Sequence, residues 1–262
     1  MYTSSLSDIE WNMTEVILHS HGISDSGRKH PLRTIVDAIS YVVDNGVKWR
    51  NLPADFPCWP SVYYNFKKWV DIGLWEEINH SLVMFARDAN GRDENPSLAS
   101  IDSQSQSAEP GVQERGLDGG KKVNGRKKHL AVDVLGLVLL CICGKANESD
   151  RHAGEILAKR LNNKKDFPRL SKILGDLAYT NVGISQKVPV CTDESWNRTK
   201  TKQKAGFVPE RFRWVVERTF AWLNRQRRLV RNYEKSTSVQ EAMNYIGNIR
   251  ICLRKIKKAF LC

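Results

Sequence analysis

The chain has no C-x-x-C pair, no apolar run of about 18 residues and no signal-peptide pattern, since Met1 to Glu10 is polar. These absences argue against a structural zinc site of the usual spacing and a membrane-spanning helix, and the expected location is the cytoplasm. Its six cysteines, Cys58, Cys141, Cys143, Cys191, Cys252 and Cys262, are expected as free thiols. Cys141 and Cys143 sit two apart in an apolar run, where they would share one strand face as small hydrophobes. Acidic charge is also scarce: 29 Asp plus Glu stand against 41 Lys plus Arg, for a net charge of +12. That balance suggests a polyanionic partner, nucleic acid first. With 262 residues and 41% hydrophobic content the chain can bury a real core.

Residues 1–92 read as helical. Leu32, Ile35, Val36, Ile39, Val42 and Val43 repeat at helical spacing after Pro31, with Asn45-Gly46 as a stop. A second helix follows Trp59-Pro60, with Ser61 as cap and Val62, Phe66, Trp69 and Val70 on its apolar face. A third runs from Leu74 to Ala89, burying Trp75, Ile78, Leu82 and Phe85. Three short helices with a basic, aromatic-rich middle one suit a helix-turn-helix-like module, or equally a bundle that supports the next domain. Residues 90–96 form a polar linker with a Gly and a Pro.

The texture then changes. Leu98 to Ile101 reads as a strand ending at Asp102, Gly116 to Lys128 as a Gly- and Lys-rich loop, and His129 to Cys143 as a hairpin around Leu135-Gly136. A helix from Arg151 to Leu161 and a short strand Lys172 to Leu174, ending at Gly175-Asp176, come next. Arg211 to Leu229 reads as one long helix, with Phe212, Val216, Thr219, Phe220 and Leu223 on one stripe and Trp214, Val215, Trp222 and Leu229 on another. A polar seam of Arg213, Glu217, Asn224 and Arg228 lies between them. A final basic helix carries Arg250 to Lys258, with Ile246, Ile249, Leu253 and Ile256 turned inward.

This order is the plan of a ribonuclease-H-like domain: α/β, a mixed sheet with flanking helices, preceded by a small helical domain. Carboxylates at neighbouring strand ends reach solvent at the sheet's carboxyl edge, and a helix laid against that edge can add a third. Asp102, Asp176 and Glu217 are therefore the candidate catalytic acids. Each alone has a simpler role, Asp102 and Asp176 in turns and Glu217 paired with Arg213. Together they fit an oxygen-ligand site for Mg²⁺ or Mn²⁺. Asp118, Asp133, Asp150 and Glu155 are weaker candidates. Lys121, Lys122, Arg126, Lys127 and Lys128 would hold a DNA backbone, and Arg213, Arg225 and Arg228 would extend the positive face.

Three strings carry a family resemblance: Ile101 to Ser105, Gly116 to His129, and Arg213 to Leu223. With Val47 to Pro53 and Tyr63 to Trp69, they resemble the transposases of bacterial insertion sequences, specifically family five, and the likeness spans nearly the whole chain. The resemblance implies a helical N-terminal domain at 1–92 and a catalytic domain at 97–262. It also implies a metal-bound DDE triad at Asp102, Asp176 and Glu217, and double-stranded DNA as partner, at element ends and target, with the protein a homo-oligomer on it. Strand cleavage followed by strand transfer is the implied activity. The chain departs from the family at Ala178, where glycine is usual, and at Glu210 and Asn224, where the wider group has tyrosine and lysine. Arg225 or Arg228 would replace that lysine as a phosphate contact. A DNA-binding copy acting as a repressor and a ribonuclease-H-like nuclease are the alternatives.

Overall fold

The computed structural model describes residues 2–192 and 214–261. Four helices come first: α1 (Asp8–Ser20), α2 (Leu32–Asn45), α3 (Trp59–Asp71) and α4 (Leu74–Ala89). α1 lacks a telling apolar period, yet a capping box fixes its start, with Ser7 and Glu10 satisfying each other's backbone and side-chain groups. Gly46 ends α2 as expected, because its φ of 69° is a left-handed conformation that glycine adopts without a Cβ penalty. Two expectations need correction. α3 begins at Trp59 after Cys58, so Ser61 lies inside it and is not the cap. Phe85 is half-exposed, whereas Trp75, Ile78 and Leu82 are buried.

Six strands follow among the described residues: β1 (Leu98–Ser107), β2 (Gly116–Asp118), β3 (Val123–Val132), β4 (Val138–Lys145), β5 (Lys172–Leu174) and β6 (Val190–Cys191). β3 pairs antiparallel with β1 on one side and with β4 and β2 on the other; β5 then pairs parallel with β1, and β6 parallel with β5. α5 (Asp150–Leu161) connects β4 to β5, and α6 (Trp214–Leu223) and α7 (Thr237–Leu261) end the chain. Four antiparallel strands, β1 to β4, continued by the two parallel strands β5 and β6, with helices on both faces, make a ribonuclease-H-like mixed sheet.

β1 does not stop at Asp102 but runs on to Ser107, and the expected loop 116–128 is β2, a turn and the first half of β3. The expected long helix is shorter too: α6 ends at Leu223, followed by a 3-10 turn at Arg227–Leu229. Asn224 accounts for the stop, since its side chain is engaged with Gln104 and Gln106 of β1 and Lys128 of β3. Arg211, Phe212, Arg213, Glu210 and Cys262 lie outside the described residues. Of the two stripes, Val215, Val216, Thr219, Phe220, Leu223 and Leu229 are buried, while Trp214 is exposed.

The N-terminal helices and the sheet domain share one apolar core. α7 is its spine. It packs on β4 through Glu241, which accepts from Cys143 N at 2.8 Å, and Tyr245, which accepts from Cys141 N at 3.0 Å. Its other side lies against α4, and Asn248 joins both by accepting from Val138 N and donating to Asn79.

Candidate active site

Asp102 and Asp176 come to one place through register. Ser100 of β1 pairs with Leu174 of β5, the last pair of that ladder, and each acid follows two residues later. Chain direction and pleat then give the two acids equivalent positions just past the end of the β1–β5 ladder, Asp102 within β1 and Asp176 beyond β5. Asp176 leaves the strand in extended conformation and caps a 3-10 turn, its side chain accepting from Ala178 N at 3.1 Å. Asp102 accepts from the Ser103 amide at 2.7 Å. α6 packs on β1 and β3 with its apolar residues down and Glu217 on the exposed side.

The three acids share an electrostatic environment. Burial pushes the Asp102 carboxyl up to about 6; the charges of Asp176 and Glu217 push the same way, and the Ser103 amide and Lys121 pull against them. Among the described residues no group of three or more His, Cys, Asp or Glu side chains gathers closely enough to hold a metal ion. Asp176 and Glu217 act on Asp102 through their charges. The triad's donor chemistry suits a hard cation: three carboxylates, mutually repelling, with a cation able to relieve that repulsion.

Alternation along β1 gives the sheet two different faces. Asp102, Gln104 and Gln106 face α6; Gln106 donates to Leu229 O at 2.6 Å and Asn224 donates to Gln104 at 3.3 Å. Ser103 and Ser105 face the other way. Ser103 donates to Asp150 at 3.0 Å, Lys127 pairs with Asp150 at 2.9 Å, and His129 lies 3.3 Å from the Tyr179 hydroxyl. Burial holds the His129 imidazole down to about 4, so it is neutral at pH 7, and burial with the nearby carboxylates raises the Tyr179 phenol above its ordinary range. Sequence alone does not reveal this cluster behind the acids as a unit, although Asp150 is a weaker candidate and Ser103 adjoins Asp102. Of the other weak candidates, Asp118 accepts from Ser105 and from the amides of its own turn, and Glu155 accepts from Gly183 N. Asp133 is fully buried, pairs with Arg87 and accepts from Leu135 N and Leu137 N.

The basic residues divide sharply. Lys121, Lys122 and Arg225 are exposed. Arg126, Lys127 and Lys128 are interior residues of the central strand, at 1%, 7% and 2% exposure, and as phosphate contacts they are corrected. Both faces of β3 are covered, so each cation finds an internal partner. Arg126 donates to four backbone carbonyls, Lys127 to Asp150 and Glu148 O, and Lys128 lies over the Phe220 ring. Arg228 is corrected likewise: it is buried against Glu234 at 2.7 Å and donates to Val47 O. Arg213 lies outside the described residues.

The ribonuclease-H-like mixed sheet with its covering helices is the architecture of DDE domains. The family model described as "Transposase DDE domain" matches residues 93–249, more than half of the chain, and the chain belongs to that family. Residues 6–79 match a second model, described as "Putative transposase of IS4/5 family (DUF4096)". Together they place the chain among DNA transposases of IS4/5 type. No curated protein and no solved structure matches it. No helix among the described residues is long and apolar enough to cross a membrane.

Proposed function

We propose that this transposase binds the terminal inverted repeats of its element and catalyses metal-dependent strand cleavage and strand transfer, with Asp102, Asp176 and Glu217 as the catalytic acids. The observation that carries the reading is the field at Asp102, to which Asp176 and Glu217 both contribute although they lie 74 and 115 residues further along the chain. Residues 1–92 take the part of an accessory helical domain and residues 97–262 that of the catalytic domain, acting as a homo-oligomer on DNA. Mg²⁺ or Mn²⁺, when bound, neutralises phosphate charge and activates the attacking oxygen.

The chain's own residues supply the rest. Asp102 and Asp176 offer oxygens from a rigid strand edge, each anchored by a neighbouring amide. Glu217 offers its carboxylate from a helix fixed to the sheet, where Thr219 donates to Gly136 O at 2.8 Å. Lys121 and Lys122 stand on the turn before β3, and the field of Lys121 reaches Asp102, so a scissile phosphate at the acids would lie beside them. Asp150, Lys127 and Ser103 hold β1 from its other face.

The test is Glu217→Gln, which keeps size and helix propensity but removes the charge. Cleavage and joining of a duplex carrying the terminal repeats should fall by several kcal/mol of transition-state stabilisation, on the order of 10³-fold, with duplex binding retained. Asp102→Asn should behave alike. Near-normal cleavage by the Glu217→Gln protein would remove Glu217 from the chemistry.

A further inference from the structure

At the end of α7 remote from β4, the N-terminal segment folds over the helix and leaves a cleft of about 490 Å³. Arg250, Arg254, Lys257 and Lys258 line it from the helix, Ser4 and Glu10 from the segment and α1. At 100° per residue the four cations fall on one side of α7, in a row roughly 12 Å long at 1.5 Å rise. Arg250 is aimed by Thr3 O, which accepts from it at 2.8 Å, and by Asp44 at 3.4 Å. The one lining carboxylate, Glu10, is already engaged: it accepts from the Ser7 amide at 2.8 Å and hydroxyl at 2.6 Å.

Ser4 supplies the second observation. It is 2% exposed, it lines the cleft, and its hydroxyl has no hydrogen-bond partner among the described residues. A buried hydroxyl left unpaired costs about 1–3 kcal/mol, a cost that a ligand oxygen can offset. The amino end of α1 lies at the same cleft and adds the positive end of a helix dipole.

We propose that this cleft binds backbone phosphates of duplex DNA, as a second contact separate from the carboxylate groove. The inference rests on the transposase reading. A row of four cations matches a run of phosphates better than a single small anion, because DNA presents about one charge per 1.7 Å of axis. α7 carries the site away from the sheet: Asn248 is its last contact with Val138, and Arg254 lies about 9 Å further along the axis. DNA reaching both places engages the N-terminal layer and the catalytic domain together.

The experiment measures binding of the full chain to a fluorescent duplex carrying the terminal repeat, across a salt series. Arg254→Ala with Lys257→Ala should lower the slope of log affinity against log salt by about 0.9 for each phosphate the variant no longer neutralises. Ser4→Ala removes a hydroxyl that has no protein partner to lose, so it should weaken duplex binding several-fold with an unfolding midpoint no lower than that of the wild type, and it serves if the double variant folds poorly. Wild-type slope and affinity in both variants would overturn the cleft and leave the transposase reading standing. Heat stabilisation by inorganic phosphate that the double variant loses, with duplex binding unchanged, would assign the cleft to a small anion and overturn it too. A wild-type protein with no salt-dependent duplex binding would overturn both readings.

Discussion

Arg126 and Lys121 belong to one basic run and do unrelated work. The Arg126 guanidinium ties β3 to the backbone of Gln113 and of residues 234–236, closing the sheet over the segment before α7. Removing it strands several buried carbonyls, so Arg126→Ala should cost about 2–4 kcal/mol in denaturant unfolding and leave the salt slope of DNA binding by the folded protein unchanged. Lys121→Ala should do the reverse, lowering affinity and slope with the unfolding midpoint intact. A lowered slope in Arg126→Ala would mean that the arginine reaches phosphate after all. The sequence order predicts Asp102, Asp176 and Glu217 as one group, but of the three only Asp176 stands at an element end, since Asp102 lies inside β1 and Glu217 inside α6. Arg126, Lys127, Lys128 and Arg228 are misread there because composition gives the sign of a charge but not the side of the sheet, and a central strand covered on both faces can hold cations where buried carboxylates and carbonyls meet them.

Elements are legible by period and blurred at their ends, for reasons that lie in tertiary partners. α2 stops where Gly46 says it should, yet α6 stops early at Leu223 because Asn224 is drawn to Gln104, Gln106 and Lys128, which no local pattern announces. The β3–β4 hairpin is pinned to α4 by the buried pair Arg87–Asp133, with Gly136 at φ 79° making its turn. Arg87→Ala would leave Asp133 buried without its cation, a loss of about 3–5 kcal/mol by chemical denaturation, and Arg87→Met with Asp133→Asn should recover part of it. Equal instability in the single and double variants would show that the pair is not the hairpin's anchor. α7 grips β4 through Glu241, whose carboxyl burial pushes up to about 7 from its usual 4.5. The folded state then holds the extra proton between those values, so this group's contribution to stability falls as pH rises through that window. Glu241→Gln keeps an acceptor for Cys143 N without the charge; its melting temperature should match wild type near pH 5 and exceed it near pH 8. Melting curves that stay parallel at both pH values would show that the carboxylate is ionised at no cost.

At the scale of the molecule, the polar stretch 90–96 reads as a boundary, and of the two family models one, at 6–79, ends before it and the other, at 93–249, begins within it. The packing runs across it. α7 buries Ile246, Ile249, Cys252, Leu253 and Ile256 in the same core as Leu18, Ile39, Phe66, Trp69 and Leu82 of the N-terminal helices. Arg228 donates to Val47 O, and a Cβ at Gly46 would lie 2.9 Å from Arg227, so α2 also abuts the turn that follows α6. None of this is readable from sequence, because an apolar stripe on α7 does not say whether sheet or helix will cover each part of it. Removing residues 1–92 would expose one side of that helix along much of its length, at about 25 cal/mol for each Å² of apolar surface, against a total stability of only about 5–15 kcal/mol for a domain. Fragment 93–262 should therefore lack a cooperative thermal transition and bind a hydrophobic dye, while the full chain melts in one step by circular dichroism and tryptophan fluorescence alike. A sharp transition in the isolated fragment, at the temperature of one of two steps in the full chain, would establish two separately folding domains. The N-terminal helices would then be a mobile arm, and α7 would need another cover for the side they now hide.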